Sequence, residues 1–131
     1  MTWPAHHISL SVARPPAAVA EFAGNPRNLP AWAGWSGRGV RESRGRWYLE
    51  SDDGWGEVVF RGPLSAGVLD HEVIQPGKPV VFTPMRVVAN QEGSEIIYTM
   101  FREPGQTDEE FEESVRGTTA NLETLRRVLE S

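Results

Sequence analysis

Four residues in the second half of the chain are of types that could do chemistry: Asp70, His71, Arg86 and Tyr98. Asp70-His71 has the composition of half a catalytic pair. Neighbours on a strand point to opposite faces, however, so the two side chains cannot bond to each other as a triad requires. Parity assigns Asp70 to a face it shares with Glu72, which two carboxylates would keep wet. His71 falls with Leu69 and Val73 and is expected to point inward. An inward histidine is a satisfied core residue, a polar anchor for a ligand, or a proton-transfer group. Arg86 interrupts an apolar stretch, and a buried arginine would need a partner or a bound anion; Pro84 leaves its direction open. Tyr98 shares a face with Ile96 and Met100 and could place a hydroxyl inside a cavity, core packing being the other reading. Trp32, Trp35, Trp47 and Trp55 cluster in one region, as core or as an aromatic wall around a ligand.

Other chemistries fail on spacing or composition. Gly34-Trp35-Ser36-Gly37 has its second glycine too early for a nucleophile elbow. Gly37-Arg38-Gly39 has Glu42 where a dinucleotide fingerprint needs glycine or alanine. His6, His7 and His71 lack metal-binding spacing, so no metal site and no cofactor are expected. The absence of cysteine excludes thiolate nucleophiles, disulfides and cysteine metal sites. The formal net charge of -5 argues against a nucleic-acid partner. The arginines at 38, 41, 44 and 46 read as a solvated strand pair, an anion patch being the alternative.

The elements that must position these residues are legible from periodicity. Over 131 residues, 39% of them hydrophobic, one domain with its own core is expected. Segment 6–13 alternates as a strand, with Ile8, Leu10 and Val12 on one face. Pro15 and Pro16 stop it and open a short helix over 17–23. Gly24 is expected to end that helix as a left-handed glycine, and Asn25-Pro26 to start a second short one. Strands follow at 38–43, 46–51, 56–61, 66–74, 80–89 and 94–102, with a hairpin turn at Ser51-Asp52-Asp53-Gly54 and a bulge or edge at Pro84. Short turns make neighbouring strands antiparallel. From Thr107 to Glu130, Phe111, Val115, Thr118, Leu122, Leu125 and Leu129 form one apolar stripe on a helix about 35 Å long. Its first turns are acidic and its last turns carry arginine. Met1 to His7 lacks signal-peptide features and no segment is long and apolar enough to cross a bilayer, so a cytoplasmic protein without membrane insertion is expected.

The strand Ile8–Val12 followed by Arg14-Pro15-Pro16, the segment Phe22 to Trp32, and the long final helix resemble the START-like superfamily, also called SRPBCC or birch-pollen-allergen-like. Gly67-Val68-Leu69-Asp70-His71 with Pro84-Met85-Arg86-Val87-Val88 resembles its bacterial polyketide cyclase/dehydrase and lipid-binding members. The likeness spans nearly the whole chain. It implies an α+β helix-grip fold over 1–131: a curved seven-stranded antiparallel sheet, two short helices and a long C-terminal helix enclosing a hydrophobic cavity. It implies a small hydrophobic or aromatic ligand and a monomer or homodimer. On this reading Trp32, Trp35 and Trp47 line the mouth and wall. Phe60, Leu69, Met85 and Met100 add apolar surface, and Phe111, Val115, Thr119 and Leu122 form the helix side. His71, Arg86 and Tyr98 orient the ligand. If the protein is instead a cyclase or dehydratase, His71 moves protons and Arg86 or Tyr98 stabilises an enolate-like oxygen. A co-chaperone-like protein-interaction module is the third reading, and would show a wide exposed apolar patch.

Overall fold

The computed structural model describes residues 1–34, 38–51 and 54–131; Trp35 and the Asp52-Asp53 turn lie outside them. Strand β1 (Ala5–Val12) buries Ile8, Leu10 and Val12 on one face, as its alternation requires. Helix α1 (Pro16–Ala23) begins at a proline whose missing N–H costs nothing in a first turn. It buries Val19, Ala20 and Ala23. Gly24 closes it with φ of -85°, not in the left-handed region expected. The need for glycine there is close approach: a Cβ would stand 2.6 Å from Leu64 Cδ2 and 2.8 Å from the Ala20 carbonyl. Pro26–Ala31 forms a 3-10 helix, not an α-helix, with Pro30 inside it. The Asn25 side chain accepts the Arg27 N–H at 3.0 Å and caps it.

Strands β2 (Val40–Ser43), β3 (Arg46–Ser51), β4 (Gly54–Phe60), β5 (His71–Ile74), β6 (Val81–Thr83), β7 (Met85–Asn90) and β8 (Gly93–Phe101) follow. All the pairings are antiparallel. They form two sheets, of three strands in the order β1-β8-β7 and of five in the order β2-β3-β4-β5-β6, where a single seven-stranded sheet was expected. Pro84 is the cause. It has no N–H for a ladder, and it splits the expected strand 80–89 into β6, which joins one sheet, and β7, which joins the other. The Pro84 carbonyl accepts from Thr99 N–H at 3.0 Å.

The preceding segment makes the matching step. Leu64–Ala66 is a 3-10 turn, so the expected strand 66–74 starts only at His71. Before that point, Leu69 N–H donates to Met85 O at 2.8 Å and Val87 N–H to Gly67 O at 2.9 Å, against β7. From His71 onward the partner is β6. Asp70 sits at the step and is buried, against the expectation of a wet face shared with Glu72. Its carboxylate accepts the Met85 N–H at 2.9 Å and two guanidinium N–H groups of Arg86, at 2.9 and 2.8 Å. These bonds replace the water that burial removes.

Helix α2 (Asp108–Glu130) carries a capping box. Thr107 Oγ1 accepts Glu110 N–H at 3.1 Å, and Glu110 Oε1 accepts Thr107 N–H at 3.0 Å. Only the C-terminal part of its stripe is buried, at Leu122, Leu125 and Leu129; Phe111 and Val115 are half-buried. Val12, Val19, Leu29, Leu69, Met85 and Ile96 complete the centre of the core. Each such side chain stabilises the fold by about 1.5–3 kcal/mol. The N-terminal half of α2 is left to cover a cavity. No helix among the described residues is long and apolar enough to cross a membrane.

Candidate functional site

A cavity of about 1070 Å³ lies between the five-stranded sheet, the end of β8 and the first half of α2. Leu49, Val73 and Met100 form apolar walls, and Trp3, Val80, Phe82 and Phe101 stand exposed around the mouth. The helix side is Ser114, Gly117, Thr118 and Asn121. These positions recur at three and four residues and share one face. All are small or polar, and a Cβ built on Gly117 meets no heavy atom within 4 Å. Asn121 Oδ1 accepts Gly34 N–H at 3.1 Å, tying the loop after the 3-10 helix to this face.

His71 and Tyr98 are the buried polar groups of the lining. His71 is 3% exposed, on the inward face that strand parity assigned to it. Its Nδ1 lies 2.9 Å from the Leu69 carbonyl, which can only accept, so Nδ1 carries the proton and Nε2 keeps its lone pair. Burial pushes the imidazole pKa down, against the smaller opposing effects of the Leu69 carbonyl and Asp70. The ring is therefore neutral at neutral pH. Phe60 and Tyr98 flank it, with ring centroids at 5.2 and 6.0 Å. Burial pushes the Tyr98 phenol up, against a smaller opposing effect of the Thr83 side chain. The result is an apolar chamber whose inner end carries one acceptor nitrogen and the hydroxyls of Tyr98 and Thr83.

The other expected site residues are distributed differently. Arg86 is outside the lining, its side chain 52% exposed and forked onto Asp70. That guanidinium holds the Asp70 carboxyl below the usual carboxylate range. Leu69, Met85 and Leu122 are fully buried core, and Phe60 is outside the lining, packed beside the His71 ring. Trp32 is buried in the core, with no hydrogen-bond partner for its indole N–H among the described residues. Trp47 is half-buried under the Arg27 guanidinium, 5.5 Å from its ring. Trp55 is exposed, with Arg41 at 5.0 Å. Among the described residues, then, the tryptophans of this region form no shared wall; the mouth takes Trp3 instead. Phe111 and Val115 are half-buried beside the cavity face, and Thr119 is exposed, its hydroxyl donating to Val115 O at 2.7 Å. His7 bonds Thr99 on the exposed side of β1, away from His71. No group of three or more candidate metal ligands occurs among the described residues.

Sequence reasoning missed Trp3, Val80 and Phe82 at the mouth, and Thr83, Ser114, Gly117 and Asn121 in the lining, the helix face above all. The signal for the helix face was present. Ser114, Gly117 and Asn121 recur at helical spacing along the edge of the apolar stripe, which they meet at Thr118, and the small residues leave room for a guest.

No protein-family model and no curated protein matches the chain. Solved structures do. XoxI from Bacillus cereus superposes with a TM-score of 0.74 at 16% identity, over 95% of this chain and 94% of that one. Ara h 8.0201 gives 0.67 at 13% identity, over 96% and 97%. DynU16, a protein of the dynemicin biosynthetic locus, gives 0.71 at 17% identity, over 97% of this chain and 47% of that one. At such identities the likeness is one of fold, and what it identifies is a chain with the START-like (SRPBCC, birch-pollen-allergen-like) fold.

Proposed function

We propose that the chain works as one START-like domain that binds a small hydrophobic or aromatic molecule between the five-stranded sheet and α2. The observation that carries this reading is the cavity of about 1070 Å³, apolar along its walls and ending on His71 and Tyr98. Its size suits a drug-sized or polycyclic guest, and apolar walls with few polar groups are the usual recipe for such a site. Native mass spectrometry of gently purified protein tests it. A discrete extra mass that leaves on unfolding is the expected result. Bare protein that also takes up no apolar fluorescent probe would refute it.

A cyclase or dehydratase reading is favoured by one observation, the neutral His71 with a free Nε2 lone pair 6.0 Å, ring to ring, from Tyr98. In that case His71 is the base and Tyr98, not the Asp70-bound Arg86, faces the developing oxyanion. Turnover unchanged in His71→Gln would rule it out.

A further inference from the structure

Charge narrows the guest. Among the described residues lining the cavity, Glu103 alone carries a formal charge, and none is a lysine or arginine. Arg102, its neighbour, is turned to the Gln106 carbonyl and to Asp108 and takes no part in the lining. The N-terminus of α2 lies beside the mouth, between Glu103 and Ser114. A helix N-terminus ordinarily attracts anions. Here the capping box takes up the Thr107 and Glu110 N–H groups, and Asp108, Glu109 and Glu110 fill the first turn with negative charge. A carboxylate, phosphate or sulfonate entering the cavity would lose hydration, find no counter-charge and meet like charge at the rim. The inner end supplies no positive charge either: Tyr98 and Thr83 offer hydroxyls, and the buried imidazole is neutral. His71 Nε2 offers a lone pair and wants a donor, which an ionised carboxylate lacks.

We infer that the cavity selects an uncharged or amine-bearing apolar molecule with a hydroxyl or N–H at its buried end, rejects anionic amphiphiles such as fatty acids, and owes this charge preference to Glu103. The inference rests on the cavity being the binding site, as proposed above.

Two fluorescent probes with one apolar body test it. N-phenyl-1-naphthylamine is uncharged and carries an N–H; 8-anilino-1-naphthalenesulfonate is the same body with a sulfonate. Both are titrated into wild type, Glu103→Gln, Glu103→Lys and Gly117→Leu. The quantity read is the ratio of the two Kd values, sulfonate over neutral. Because the sulfonate also changes solubility, the response of the ratio to substitution at 103 decides. The ratio is expected to fall about tenfold in Glu103→Gln, which removes the rim repulsion, and further in Glu103→Lys, which replaces it by attraction. It should also shrink in wild type as salt is raised. A ratio unmoved by both substitutions, with probe binding still weakened by Gly117→Leu, overturns the charge inference and leaves the cavity standing. Probes that fail to bind wild type, or that bind Gly117→Leu as well as wild type, overturn the cavity reading and the inference with it.

Discussion

Replacing Gly117 by leucine should stabilise this protein and weaken its ligand binding at once. Glycine in a helix interior costs about 0.5–1 kcal/mol relative to alanine, and leucine is nearly as good a helix former. Position 117 lies within the 23-residue helix α2, and a Cβ there meets nothing within 4 Å. The new side chain therefore enters without a clash and removes the glycine cost. For a chain of this size that raises Tm by roughly 2–5 °C. The same side chain then stands in the space a guest needs. Overpacking a filled site costs about 1–3 kcal/mol, which weakens binding roughly 5- to 150-fold. Thermal denaturation and titration with N-phenyl-1-naphthylamine read the two effects separately. A variant that merely misfolds would lose both stability and binding, so opposite signs are diagnostic. A Tm lowered by several degrees, or an unchanged Kd, would show that position 117 does not border open binding space.

Two further predictions concern pH. His71 is held below its ordinary pKa by burial. The unfolded chain therefore takes up a proton that the folded one refuses as pH falls below about 6.5. Stability should decline through that range, and His71→Gln should flatten the decline in urea titrations between about pH 7 and 5; an equal slope in both proteins would contradict the neutral, buried imidazole. Asp70 is shifted down chiefly by its bonds to Arg86. Its contribution is present above its unfolded pKa of about 3.8 and is lost as pH falls through the lower folded value. Asp70→Asn should be less stable than wild type near neutrality and lose less on acidification below pH 4, measured by urea midpoint; parallel acid profiles would show that the Arg86 bonds do not hold the step between the sheets.

Much of this protein follows from one-dimensional pattern. The 2-residue alternation of Ile8, Leu10 and Val12 specifies a half-buried strand, and the inward side of His71 follows from the same parity. The 3.6-residue stripe from Phe111 to Leu129, with Thr107 and Glu110 at capping spacing, specifies α2 and where it starts. Local pattern could not decide which elements meet. Asp70 looked like a surface carboxylate because its solvation depends on Met85 and Arg86, fifteen and sixteen residues away. Whether Pro84 bulges one sheet or divides two depends on the partners its neighbours find, β5 for β6 and β8 for β7. The tryptophans share a region of sequence, yet Trp32 packs in the core at the end of the 3-10 helix while Trp55 lies exposed on β4, because burial is set by which element carries the residue and not by spacing along the chain. Helix rotation settled the cavity: α2 spends its large apolar residues on the core at Leu122, Leu125 and Leu129, and turns the adjacent small face of Ser114, Gly117 and Thr118 to the guest space. Apolar pattern marks what packs, whereas a binding site is what packing leaves open, and that is decided only when the elements are assembled.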